Sequence, residues 1–392
     1  MGIRRHGSGI LHLQSLRTLR LTLTWVLSFA RGMFLFDAHL DLAMNAMEWN
    51  RDLRQPLKSI RQREADWTDK PDRGRGVLSF SEMRSGQIGL CVATQIARYV
   101  KPESHLSGWH SPEQAWAQTQ GQLAWYRAME SQGHLIQIKN IEQLDSHVTL
   151  WEKAILQDQV DDSLPIGYIL SLEGADSMVD ISYLEKSYSQ GLRALSLGHY
   201  GPGTYAPGTG AVGGLSPRGK DLLKEMDRLG MILDLTHLSD QAFWEALDIF
   251  QGPVWASHCN CRTLVSHQRQ LSDEQIRVIC DRGGVIGLVF DAWMMHSGWK
   301  RGETTPKSAN LKLSRILDHA DHICQITGSS SHVGIGSDLD GGYGTEQCPQ
   351  DIDSIADLQN LEQLMEPRGY STKDISGFFS RNFLNVLEKA WS

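Results

Sequence analysis

The chain is short of the features that mark several common protein classes. Its six cysteines (Cys91, Cys259, Cys261, Cys280, Cys324 and Cys348) are scattered, and no second pair lies at finger or ribbon spacing from the C-x-C of Cys259 and Cys261. A structural zinc module is therefore not expected, nor is a disulfide framework, and thiols in apolar segments read as small hydrophobes of a reducing compartment. Clustered lysine and arginine are missing from the body of the chain, and the net charge is −8, which argues against a nucleic-acid footprint. No apolar run approaches the roughly 20 residues that span a bilayer. Internal repeats and low-complexity tracts are also absent.

The first 32 residues differ from the rest. Residues 1–20 are basic and contain no Asp or Glu, and the apolar run "LTLTWVLSFA" follows. Two readings compete: a leader outside the fold, with Met33 as the true start, or a signal peptide ending in the small-x-small pair Ser28 and Ala30. The long, Arg-rich lead fits the signal template poorly, so the first reading and a cytoplasmic location are favoured; export is the alternative if residues 1–30 act as a signal.

What the chain does have, at 21% charged and 41% hydrophobic residues, is ordinary globular composition and length enough for a large α/β core. From Met33 onward, β-rich apolar runs alternate with helical patterns. Eight such runs occupy 34–41, 88–97, 165–175, 191–199, 230–238, 253–259, 284–292 and 332–341. Helical stretches between them open with Ser followed by Pro or an acid, the chemistry of an N-cap and first turn. This pattern predicts an α/β fold, a (β/α)8 barrel filling residues 33–392 as one domain, with extra helices between the second and third strands and a closing helical tail from 345.

In such barrels the active site is built from the C-terminal ends of the strands. His39 and Asp41 end the first run, Glu173 the third, His199 the fourth, His237 the fifth, His258 the sixth and Asp338 the eighth. A lone His-x-Asp is as a rule a surface pair closing a strand. Six strand ends agreeing is different, because charges crowded at a rim repel one another without a cation. Histidines with carboxylates suit zinc or a neighbouring transition ion better than calcium or magnesium. The candidates exceed the four ligands of one ion, so two divalent metal ions are expected, with Glu173 as the bridge.

The motifs "DAHLD", "SLEGAD", "LGHY", "GLSPRGKDLLKEMDRLGMILDLTHLSD", "ASHCNCRTLVSHQRQLSDEQI" and "GIGSDLDG" resemble the membrane (renal) dipeptidase family of metallopeptidases, among the amidohydrolase-like barrels, over nearly all of 34–390. The resemblance implies a zinc-dependent dipeptidase. It assigns His39 and Asp41 to the first zinc, Glu173 to the bridge, and His237 with His258 to the second. It places His199 on the substrate carbonyl, Arg269 on the substrate carboxylate and Asp338 as general acid/base. A small dipeptide is the implied partner, with a homodimer as the oligomer to test. Two departures bear on the substrate. The loop after His199, "YGPGTYAPGTGAVGG", lacks the family's Asn-rich turn, and Met294 stands where some animal members carry a substrate-contacting tyrosine. Asp291, near the rim, is read as a helix cap, with a substrate ammonium as its alternative partner. Hydrolysis of an N-acyl amino acid, lactone or ester is the second enzymatic reading, and a non-catalytic metal-binding protein the third.

Overall fold

The structure, a computed structural model, describes residues 32–392. The leader and signal-peptide readings fall on residues outside that range, but for Gly32. Eight parallel strands form the wall of a barrel in the order β7-β6-β5-β4-β2-β1-β9-β8. They are β1 (Leu35–Leu40), β2 (Ile88–Gln95), β4 (Ile166–Glu173), β5 (Leu192–Ser196), β6 (Ile232–Asp234), β7 (Val254–Trp255), β8 (Ile286–Leu288) and β9 (Val333–Ile335). The ring closes between β7 and β8, where Ala256 bridges Ile286 and Cys259 N–H donates to Gly287 O at 2.8 Å. The architecture is the expected (β/α)8 barrel.

Each wall strand coincides with one of the eight apolar runs, because a strand covered on both faces needs unbroken apolar residues and parallel pairing needs a crossover helix. One element is additional: β3 (Leu135–Gln137) pairs with the first half of β4, below the level at which β5 takes over that edge. It lies where only helices were expected, between the helices Pro112–Ser131 and Ile141–Gln157. Three residues alternating in burial carry too little pattern to be read as a strand.

Serine caps set the helix starts. Ser111, Ser216, Ser239 and Ser272 each accept the N–H of the third helical residue, and Pro follows Ser111 and Ser216. The terminal helix Asn382–Trp391 closes one end of the barrel: Phe383 packs edge-on against Phe36 of β1 and Trp255 of β7. All six cysteines are free, and five of them are buried. Among the described residues no helix is long and apolar enough to cross a membrane.

Candidate active site

The strand registers bring the ionisable residues to one level. Glu173, the last residue of β4, pairs with Ser196, Ser196 with Asp234, and Asp234 with Trp255, so the residues just beyond these positions emerge together at the rim. Glu173 Oε1 is the centre of the group. The Nε2 atoms of His237, His258, His39 and His199 lie 3.3, 3.4, 3.7 and 3.9 Å from it. His39 Nε2 is also 3.9 Å from Asp41 Oδ1 and 3.8 Å from Asp338 Oδ1. Every rim residue expected from the sequence is therefore in one cluster. Three overlapping subsets (His39, Glu173 and His258; Glu173, His199 and His237; His39, Asp41 and Asp338) have ligand atoms close enough to share an ion.

The backbone is bent to achieve this. His237 and Asp338 are non-glycine residues with φ of +70° and +55°. That conformation costs an L-residue about 1–2 kcal/mol.

The far side of each ring fixes its orientation. His237 Nδ1 meets Thr209 Oγ1 at 2.9 Å, His258 Nδ1 meets Ser257 Oγ at 2.9 Å, and His199 Nδ1 meets Arg98 Nη2 at 2.7 Å. Asp41 accepts a short hydrogen bond from the Thr94 hydroxyl. The glycine-rich loop after His199 has a definite task in this arrangement. Thr209 N–H donates to His199 O at 2.7 Å, which lays the loop back on its own start and delivers the Thr209 hydroxyl to His237. The close approach needs Gly208, where a Cβ would sit 2.0 Å from His199 O.

Burial makes this a site for a cation. It pushes His39 down to about 3 and drives His199, His237 and His258 well below the ordinary histidine range, with nearby Arg269 adding to the effect. The rings are thus neutral, as metal ligation requires. Burial raises the carboxyls: Asp41 to about 6, with Glu48 adding to it, and Glu173 and Asp338 well above their usual range, with the neighbouring carboxylates adding to it, Asp41 foremost. A divalent cation reverses that trend by favouring the anions. His39 Nε2 is buried and has no hydrogen-bond partner, a state that is costly unless something else occupies its lone pair.

Arg269 is 4% exposed, so the surface ion pair that a lone arginine suggests is ruled out. Its guanidinium donates to Cys259 Sγ at 2.9 Å and His258 O at 2.9 Å, and no carboxylate of the described residues lies within ion-pair distance. Asp291 caps the helix Ala292–Met295 through Trp293 N–H and is held by Arg301 at 3.1 Å and Gln347 at 2.8 Å. Met294 is buried, at 2% exposure. Beside the centre a cavity of about 540 Å³ is lined by residues that include Arg98, Lys101, Leu106, Asp176 and Tyr200.

The hydroxyl and guanidinium partners are absent from the sequence reading. Ser257 had a legible signal, since it stands polar at the end of an apolar run beside the rim residue His258, and Thr94 is a polar residue near the end of the second apolar run. Thr209 and Arg98 lie in loops whose folding the local sequence does not specify.

A parallel barrel with inward-facing histidines and carboxylates at its C-terminal rim defines a metal-dependent hydrolase. The chain belongs to the membrane dipeptidase family, peptidase family M19, whose model matches residues 26–391. It is 31% identical over 216 residues to an uncharacterised protein in the pqqA 5′ region of Klebsiella pneumoniae, covering 53% of this chain and 76% of the relative. It is 25% identical over 353 residues to Dipeptidase 3 of Mus musculus, covering 88% and 64% respectively. Matches to three fungal relatives span between 38% and 53% of those proteins. Among solved structures, a metallopeptidase from Rhodobacter sphaeroides, liganded with a phosphinate mimic of the dipeptide L-Ala-D-Ala, superposes with a TM-score of 0.71 at 24% identity, over 92% of this chain and 100% of that one.

Proposed function

We propose that the protein is a binuclear zinc dipeptidase that cleaves small dipeptides bearing a free C-terminal carboxylate. The observation that carries this reading is the pairing of two unmet demands at one centre: the buried, unpartnered His39 Nε2 and the buried Arg269, which has no carboxylate at ion-pair distance among the described residues. The first asks for a metal and the second for an anion. His39 and Asp41, with Glu173, would hold one ion, and Glu173 with His237 and His258 the other. Ions bound there supply Lewis acidity, generating a nucleophile from water at neutral pH and polarising the scissile carbonyl.

The protein's own groups do the rest. The Arg269 fork takes the substrate carboxylate and fixes which bond lies over the centre. Asp338, on the open side of the cluster, takes a proton from the attacking water at its carboxylate and returns it to the departing amine. His199 Nε2 steadies the charge that develops on the carbonyl oxygen. The relative bound to an L-Ala-D-Ala mimic makes an L,D dipeptide the first substrate to try.

The test is hydrolysis of L,L and L,D dipeptides beside N-acetyl amino acids, with Asp338→Asn run alongside and metal measured by elemental analysis. Dipeptide turnover that is lost in the variant while about two zinc per chain remain supports the reading. Turnover confined to acylated amino acids or lactones replaces the substrate class. Activity unchanged in Asp338→Asn refutes the assigned acid/base, and absence of any turnover leaves a binding protein.

A further inference from the structure

All four imidazoles aim Nε2 at Glu173, and distance alone does not say which of them ligate. The subset of Glu173, His199 and His237 is as compact as the others. The partners on the opposite nitrogen do discriminate. Thr209 Oγ1 and Ser257 Oγ, which face His237 and His258, are hydroxyls and have lone pairs to accept a ring N–H. Ser257 Oγ also lies 3.5 Å from His39 Nδ1. These three rings can therefore carry their proton on Nδ1 and leave the Nε2 lone pair free. His199 is different, because its Nδ1 faces Arg98 Nη2 at 2.7 Å and a guanidinium has no acceptor. His199 Nδ1 must accept, and the single proton of the neutral ring must sit on Nε2. A doubly protonated ring would set donor against donor at that contact.

We propose that Arg98 is a positioning residue that sorts the four histidines: by donating to His199 Nδ1 it fixes the Nε2–H tautomer, which withholds His199 from the metal and turns it into a hydrogen-bond donor toward the reacting carbonyl. The inference rests on the dipeptidase reading for the donor's use, but not for the tautomer itself. Arg98 is built to hold that place. Its Nη1 donates to Ser107 O at 3.0 Å, and its backbone is clasped by Trp109, whose N–H donates to Arg98 O at 2.8 Å while Val100 N–H donates to Trp109 O at 2.8 Å. The segment 98–109 thus returns on itself to pin one guanidinium behind one ring. A metal at His199 Nε2 would require the ring to give up its only proton, whereas a donor there matches the need of a developing oxyanion.

The test is a long-range ¹H–¹⁵N correlation spectrum of the imidazoles in the full-length protein, metal-free and zinc-loaded, with His199→Gln to assign the ring. The expected result is the Nε2–H tautomer for His199 in both forms, lost or mixed in Arg98→Met and kept in Arg98→Lys. In dipeptide kinetics Arg98→Met should lower kcat roughly tenfold to a hundredfold, with KM within about threefold and zinc content unchanged; this is a fraction of the ~10²–10³ cost of deleting an oxyanion donor. Arg98→Lys should restore part of kcat. A proton on His199 Nδ1 in the wild-type protein overturns the proposal, as does a tautomer that Arg98→Met leaves unchanged. If dipeptides are not hydrolysed, the dipeptidase reading falls while the tautomer is still decided by the spectrum.

Discussion

Replacing Arg51 by Met should destabilise the protein and disturb the site from a distance. The Arg51 side chain is wholly buried and bonds Glu64 through two nitrogens at 2.9 and 3.1 Å, Asp72 at 2.9 Å and Asn45 Oδ1 at 2.9 Å, with Asp340 at 3.6 Å. Methionine fills much of the space but leaves Glu64, Asp72 and Asp340 with Arg73 as the remaining cation, and of these three carboxylates Arg73 pairs only with Glu64 among the described residues. Breaking a buried pair by removing one partner costs about 3–5 kcal/mol. With an unfolding entropy of about 2.1 cal/mol/K per residue, the 361 described residues give roughly 0.76 kcal/mol per degree, so Tm should fall by about 4–7 °C. Catalysis should suffer as well, because Arg51 orients Asn45, whose amide donates to the carbonyls of Asp41 and Asp340 at 3.1 and 2.8 Å. Differential scanning calorimetry with metal loading held constant measures the first effect and dipeptide kinetics the second. A Tm within about 1 °C of wild type would refute the argument that the network depends on this one cation.

Two further tests address separate links. Thr94→Val removes the hydroxyl that holds Asp41, and zinc affinity measured by competition with a chelator should fall by about 10–100-fold, the usual cost of losing a ligand's supporting bond. Asp291→Asn probes pH: burial raises the Asp291 carboxyl to about 6 from 3.8, so the folded state holds a proton that the unfolded chain has released. Its contribution to stability therefore declines as pH rises from about 4 to about 6. The variant's Tm should gain on that of wild type across this window, and parallel Tm curves from pH 4 to pH 6.5 would contradict the sign.

The parts of this protein legible in its sequence are those set by long apolar periodicity. The eight wall strands and the Ser-capped helices were readable because burial on both faces and first-turn chemistry leave local signatures, and the polar residues at strand ends stood out against them. Asp291 as a cap was readable from its place just before a helix. What escaped depends on tertiary contact. The strand Leu135–Gln137 borrows its identity from β4, Thr209 reaches His237 only after its loop folds back on His199, and Arg98 acquires its partner from a residue about 100 positions away. The Arg51 network was equally hidden, since it joins five residues spread from Asn45 to Asp340.

The left-handed backbone at Asp338 means that the site is held against the fold's own preference. Its carboxylate is also driven into a crowd of like charges at Asp41 and Glu173. Asparagine tolerates that conformation at least as well and carries no charge. A metal-free Asp338→Asn protein would thus survive heating better than its metal-free parent, and a library sorted on thermal survival alone would discard the carboxylate we propose as the acid/base.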